Sequence, residues 1–145
     1  MTNEDRDRIL QMKPEHVLAL TIFGEARGET LFGKIGVAHV VNNRCKDKRW
    51  PDTIQGVCIQ PKQFSCWNES DPNFQLLLRK SKQGINYDPD LAWRECVWVA
   101  GGVIFGYLRD NTSGANHYHT KDVKPFWENQ MTKVGEIDHH IFYRG

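Results

Sequence analysis

Two carboxylates four residues apart, Glu25 and Glu29, are the residues whose types and spacing are best suited to chemistry. Side chains at positions i and i+4 share one face of a helix, and a carboxyl pair can supply both an acid and a base. Glu25 falls in the last turn of a predicted helix, where an apolar wall and the negative end of the helix dipole favour a neutral carboxyl group. The pair indicates acid/base catalysis, although the spacing alone is more typical of a solvated helix face.

Histidines are the second group of residues that could form a functional site. His117 and His119 alternate in a segment rich in strand-forming residues, which places both imidazoles on one face and makes a zinc site the main alternative. A third ligand could come from His39, His16, a cysteine or a carboxylate, and Glu25 would then be the base of a metallopeptidase. The sequence contains no H-E-x-x-H motif, and ring stacking or hydrogen bonding to a polar ligand explains the pair equally well. We therefore expect no metal and no other cofactor.

Apolar residues at helical spacing dominate the first two thirds of the chain and predict the elements that position these side chains. A buried helix is expected from Pro14 to near Gly28. Thr30 can cap a second helix that ends near Arg44 or Asp47. The remaining helix starts are predicted at acidic caps, two of them followed by proline: Asp52, Asp71-Pro72 and Asp88-Pro89.

The last third of the chain changes to strand and loop patterns. Asn116–Thr120 and Ile141–Tyr143 predict short strands. Upstream of them, Gln63–Trp67 combines amide, hydroxyl and aromatic groups, which predicts a strand or a cleft-lining loop suited to sugar binding. We therefore expect residues 1–145 to form one mainly helical α+β domain whose irregular segments line a groove.

Composition excludes several classes of protein. The 19 Lys and Arg residues nearly balance 18 Asp and Glu residues, giving a net charge of +1 and no basic patch for nucleic acid. No window approaches the ~18 apolar residues of a membrane-spanning helix, and Met1–Lys13 lacks the apolar core of a signal peptide. We expect synthesis in the cytoplasm, no stable membrane insertion, and reduced structural thiols at the four dispersed cysteines.

Longer blocks of sequence indicate the fold and function more specifically than single residues do. They occur in a fixed order: Ile22–Glu29, Gly33, Val37–Arg44, Trp50–Ile54, Gly56-Val57, Gln63–Ser65, Asn116–His119, Pro125-x-Trp127 and Ile137–Tyr143. In that order they resemble the SleB-type cell wall hydrolase family, and the resemblance spans Ala19 to Tyr143. It implies a lysozyme-like, mainly helical fold with a small β and loop region lining a glycan groove.

The resemblance also implies a reaction, namely cleavage of the MurNAc-GlcNAc β-1,4 bond of peptidoglycan with Glu25 as the catalytic glutamate. As in lytic transglycosylases, Glu25 would protonate the glycosidic oxygen and then take the proton of the muramoyl 6-hydroxyl, which closes a 1,6-anhydro ring. Trp127 either stacks on a sugar or packs in the core. The other residues implied to bind the glycan are Gln63, Phe64, Ser65, His117, Tyr118 and His119.

Three alternatives stay open at this point. A hydrolytic muramidase would use Glu29 as a second catalytic acid beside Glu25. A zinc amidase or peptidase would use His117 and His119, and a non-catalytic module would only bind the wall. Because catalytic blocks fill a chain without a signal peptide, we expect a phage endolysin. It would be a monomer made in the host cytoplasm, and it would reach the periplasm or cell wall through a separate pore-forming protein.

Overall fold

Six helices and a small antiparallel sheet make up the fold in the computed structural model, which describes all residues from 1 to 145. None of the helices combines the length and the hydropathy needed to cross a bilayer. The mainly helical α+β class predicted from the sequence is confirmed. The elements are α1 (Asn3–Leu10), α2 (Pro14–Ala26), α3 (Leu31–Cys45), α4 (Ile54–Ile59), α5 (Phe74–Ser81), α6 (Leu91–Ile104), β1 (His117–Thr120), β2 (Thr132–Ile137) and β3 (His140–Arg144).

Helix α2 occupies the centre of the core. Every residue from 17 to 23 is buried, so the helix is apolar on all sides and packs against α3, α4, α5 and α6. Trp93 of α6 meets Phe23 edge to face, with ring centroids 5.8 Å apart. The polar hydroxyl of Thr21 is satisfied because it accepts a hydrogen bond from Trp67 Nε1 at 3.0 Å. This packing fixes the last turn of α2, which carries Glu25.

The sheet is held against α3 by the turn that joins β2 to β3. Strand β3 pairs antiparallel with both neighbours, in the order β1-β3-β2. At the turn, Asp138 has φ +53° and its Oδ2 accepts hydrogen bonds from Thr30 N at 3.0 Å and Thr30 Oγ1 at 2.5 Å. A carboxylate at a helix N-terminus is stabilised by the unpaired amides there. The sheet is therefore anchored to the segment that follows Glu25.

Two of the predicted helix caps are wrong by one or two residues. Thr53, not Asp52, caps α4, and its hydroxyl accepts an amide hydrogen bond at 3.0 Å. Asp90, not Asp88, caps α6, because Asp88 instead accepts a hydrogen bond from Lys80 Nζ at 2.6 Å. In each case a cap residue nearer to the first helical turn takes the role.

Other departures from the predictions come from turns and exposed elements. Helix α5 begins at Phe74, not directly after Asp71-Pro72, because the Asp71 carboxylate accepts the amide hydrogen of Asn73 at 2.8 Å and closes a preceding turn. Residues Ser65–Trp67 form a 3-10 turn, so the strand proposed for that segment is wrong. No periodicity predicts α1 or β2, since few of their residues are buried.

Gly24 allows α2 to pack closely against the 3-10 turn. A Cβ added at this position would lie 2.6 Å from Cys66 Cβ and 2.8 Å from Cys66 Sγ. We expect Gly24→Ala to lower the free energy of unfolding by about 1–3 kcal/mol, as overpacking typically does. Gly101→Ala in α6 is the matched control, because nothing lies within 4 Å of its added Cβ and alanine favours the helix. Thermal melts that show equal losses for both variants would contradict this packing role.

Candidate active site

Three separate segments meet at the carboxylate of Glu25, which lines a cleft of about 270 Å³. Its Oε1 accepts a hydrogen bond from the Tyr118 hydroxyl of β1 at 2.5 Å. Its Oε2 accepts from the Cys66 backbone N–H at 3.1 Å and from Ser65 Oγ at 3.3 Å, both in the 3-10 turn. Half-buried and held by three donors, Glu25 has a fixed direction into the cleft.

The hydroxyl group of Tyr118 remains protonated and so remains a hydrogen-bond donor to Glu25. Burial of its hydroxyl, and then the neighbouring charge of Glu25, raise the pKa of Tyr118 well above its usual value. The phenol therefore stays protonated at all physiological pH values. Its ring packs against His140 and Phe142, with centroids 4.7 and 5.8 Å away, and this contact fixes the hydroxyl position.

Cys66 contributes its backbone amide to the site and not its thiol. Burial raises the pKa of the Cys66 thiol, and the charge of Glu25 adds to this shift. A thiol that stays protonated is a poor nucleophile. The other three cysteines form no disulfide either. The chemistry of the cleft therefore centres on the carboxylate.

Arg44 forms the cationic wall of the cleft. It is only 5% exposed, and its Nε donates to the Asn116 carbonyl oxygen at 2.7 Å while a terminal nitrogen donates to Gln63 Oε1 at 3.2 Å. Burial lowers the pKa of Arg44 to about 10, so the guanidinium remains charged at neutral pH. An arginine in a last helical turn is usually solvated, and for this reason sequence reasoning does not place Arg44 in the site.

Six of the nine predicted site residues line the cleft: Glu25, Gln63, Phe64, Ser65, Tyr118 and His119. The other three, Glu29, His117 and Trp127, lie outside it. Sequence reasoning missed the five further lining residues, Arg44, Lys62, Asn68, Thr120 and Val123. Two of these, Lys62 and Thr120, are adjacent in sequence to the predicted residues Gln63 and His119, and this proximity was the available signal. The catalytic and binding roles of all nine residues stay predictions.

Glu29 is engaged by the turn between β2 and β3. Its Oε2 lies 2.8 Å from His139 Nδ1, and its Oε1 lies 3.4 Å from His140 Nδ1. The hydrogen bond to Glu29 raises the pKa of His139. Because α2 ends at Ala26, Glu29 does not continue the helix and does not share a face with Glu25. Its contacts tie the sheet to the loop between α2 and α3.

His117, His119 and Trp127 belong to an aromatic cluster on the sheet. The Trp127 ring centroid lies 5.2 Å from that of His117, 5.6 Å from His119 and 5.3 Å from Tyr143. Trp127 is therefore packed against the sheet.

Both ring nitrogens of His119 already have partners, the Thr120 carbonyl oxygen at 2.7 Å and the Tyr143 hydroxyl at 2.8 Å. Burial and the charges of Arg44 and Arg49 lower the pKa of His117 to about 4, so it is neutral at neutral pH. No three His, Cys, Asp or Glu side chains converge in a way that could hold a metal ion.

The fold and the cleft define a mainly helical domain with a single carboxylate at the centre of its site. The profile of the Cell Wall Hydrolase family matches residues 28–143, and the chain belongs to this family. The matched range begins just after Glu25, so the role of Glu25 is argued from the geometry above.

Curated relatives and solved structures agree with this membership. The chain is 41% identical over 127 residues to the spore cortex-lytic enzyme of Oceanobacillus iheyensis, covering 87% of this chain and 40% of the relative. Its identity to the Bacillus cereus enzyme is 37% over 130 residues, covering 87% and 42%. The chain thus spans about two fifths of the length of these relatives.

Among solved structures, the catalytic domain of the germination-specific lytic transglycosylase SleB from Bacillus anthracis matches with a TM-score of 0.68 and 26% identity. This match covers 90% of our chain and 93% of that domain. The catalytic domain of Bacillus cereus SleB matches with a TM-score of 0.67 and 25% identity, covering 90% and 89%. The predicted resemblance to the SleB-type family is confirmed.

Proposed function

We propose that this chain is a catalytic domain that cleaves the MurNAc-GlcNAc β-1,4 bonds of peptidoglycan as a lytic transglycosylase. The observation that carries the proposal is that Glu25 is the only acidic residue lining its cleft. A reaction that uses one carboxyl group as both acid and base needs no second acidic residue. The similarity to the catalytic domain of a lytic transglycosylase supports the same conclusion.

In the proposed reaction Glu25 acts twice. Its protonated carboxyl group first gives a proton to the glycosidic oxygen, so that the bond from this oxygen to C1 of the muramoyl sugar breaks. The resulting carboxylate then takes the proton of the muramoyl 6-hydroxyl, whose oxygen bonds to C1 and closes the 1,6-anhydro ring. Glu25 ends protonated as it began, and no water is consumed. The donors Tyr118 and Cys66 N–H stabilise the carboxylate between the two steps.

A hydrolytic muramidase of the usual kind fits this geometry less well. Such enzymes need a second carboxyl group that faces the scissile bond. Glu29 was the candidate for this role, but its oxygens are turned toward His139 and His140. These contacts favour a structural role for Glu29, which is to hold the sheet in position.

Replacing Glu29 separates these two roles. We expect Glu29→Gln to reduce peptidoglycan turnover by only about 2- to 10-fold. We also expect it to destabilise the fold by about 1 kcal/mol, since it removes the charge that faces His139 and His140. Initial rates on purified sacculi and a thermal melt would check both effects. If turnover falls about 10³-fold with an unchanged melting temperature, Glu29 is a catalytic acid and the single-acid mechanism is wrong.

The reaction type can be read from the products. Purified protein would be incubated with peptidoglycan sacculi, with and without a chelator, and soluble products would be identified by mass spectrometry. We expect 1,6-anhydro-muropeptides in equal yield under both conditions. Reducing muramoyl ends would instead show hydrolysis, free peptides released only without chelator would show a zinc amidase, and no soluble product would show a wall-binding module.

We further propose that the protein acts in host cell lysis as a phage endolysin. It would be synthesised as a monomer in the cytoplasm and admitted to the wall by a separate pore-forming protein. Production in a bacterial cytoplasm should cause lysis only when a membrane pore is co-produced. Lysis without the pore, or none with it, would overturn the proposal.

A further inference from the structure

A second cavity adjoins the catalytic cleft. Its volume is about 920 Å³, and its walls include Lys62 and Asn68, which also line the cleft around Glu25. The two hollows share these two residues and so lie next to each other. Pockets of this size commonly hold ligands of a few hundred daltons.

The larger cavity presents two cations without carboxylate partners. Lys62 forms no ion pair, and Arg6 donates to the carbonyl oxygen of Ile59 at 3.2 Å without meeting an acidic group. Glu69, the acidic residue of the wall, is paired with the amino group of Met1. The side-chain amide of Asn68 is also unbonded. The cavity therefore attracts an anionic ligand that carries hydrogen-bonding groups.

The backbone at Lys62 is held in a conformation that favours glycine. Residues Gln60 to Gln63 form a turn closed by a hydrogen bond from Gln63 N to Gln60 O at 3.2 Å. Pro61 is second in this turn, and Lys62 is third with φ +65°. A lysine side chain in the left-handed region is strained, and such strain is concentrated at ligand sites. The strained backbone therefore marks Lys62 as a candidate ligand-binding residue.

We infer that the larger cavity binds the acidic peptide stem of peptidoglycan. This inference rests on the proposed glycan cleavage. The stem is attached to the muramoyl sugar, and the bond of that sugar must lie at Glu25 for the reaction to occur. A stem on this sugar extends from the cleft into the space beside it. The cavity at Lys62 and Asn68 adjoins the cleft, with Lys62 and Arg6 placed to bind stem carboxylates and Asn68 to bind stem amides.

The test compares two polymers that differ only in the stem. One is intact sacculi, and the other is the same sacculi after an amidase has removed the peptides. We expect Lys62→Met to lower the ratio of kcat/KM on the stem-bearing polymer to kcat/KM on the stem-free polymer by about 3- to 10-fold. Lys62→Arg should keep the wild-type ratio. Lys82→Met, at an exposed lysine near the end of α5, is the matched control and should also keep it.

A glycine variant excludes a folding artefact. Lys62→Gly removes the side chain and relieves the positive φ, so its melting temperature should be at least that of the wild type while its ratio falls as in Lys62→Met. Equal losses on both polymers, or no loss on either, would overturn the stem-binding assignment. Failure of the wild-type protein to release anhydro products from either polymer would instead overturn the proposed function.

Discussion

Glu25→Gln should reduce the release of 1,6-anhydro products by at least about 10³-fold. The amide cannot protonate the glycosidic oxygen or accept the proton of the 6-hydroxyl, and a positioned acid/base group typically contributes 10²- to 10⁴-fold in each such step. The amide keeps the size of the carboxyl group, and one of its atoms still accepts from Tyr118 or Cys66 N–H. The melting temperature should therefore change by only a few degrees.

The matched control for this variant is Glu15→Gln in the first turn of the same helix. Glu15 lies at the opposite end of α2 from the cleft, so this change should leave turnover within about twofold of wild type. Rates would be measured by mass spectrometry of soluble products, and folding by circular dichroism. Turnover above about a tenth of wild type in Glu25→Gln would refute the assignment of Glu25 as the acid/base.

Tyr118→Phe should lower kcat by about 10- to 100-fold and leave KM nearly unchanged. The substitution keeps the ring that packs against His140 and Phe142 but removes the hydroxyl that donates to Glu25 at 2.5 Å. A hydrogen bond to a charged group is worth about 1.5–3 kcal/mol, which corresponds to this range of rates. The loss belongs in kcat because the carboxylate is fully formed only after the first proton transfer.

Two further variants complete this test. Tyr87→Phe, at a side chain that is 71% exposed, should behave as wild type. The double variant Glu25→Gln with Tyr118→Phe should lose no more than Glu25→Gln alone, since Tyr118 acts through Glu25. Additive losses in the double variant would show that Tyr118 contacts the substrate independently.

Local patterns were sufficient to predict the main helices and two of the three strands. Pro14 at a helix start, the apolar run after it and the Thr30 cap all correspond to observed features of α2 and α3. Such patterns succeed because capping and burial of one helix face depend on residues only a few positions apart. They fail at Asp52 and Asp88, where a hydroxyl or acidic residue nearer to the helix takes the cap, and at Asp71, whose carboxylate closes a turn before α5.

The grouping of residues in the cleft required more than local patterns. The ordered family blocks predicted that Glu25, Gln63–Ser65 and Tyr118 belong to one site, and the fold brings these residues together. Periodicity alone could not predict this grouping, because Glu25 and Tyr118 are separated by 93 residues. Periodicity could not place Arg44 in the cleft either, because this buried side chain donates its hydrogen bond to the Asn116 carbonyl oxygen, 72 residues away.

The amino-acid sequence alone determined the fold class, the helix that carries Glu25 and the family to which the chain belongs. Only the tertiary structure separated the roles of the two carboxylates, Glu25 and Glu29. Glu25 receives three hydrogen bonds in the cleft, while Glu29 is drawn to His139, 110 residues away. The physical reason is that helical spacing brings two side chains together only while the helix continues, and α2 ends at Ala26.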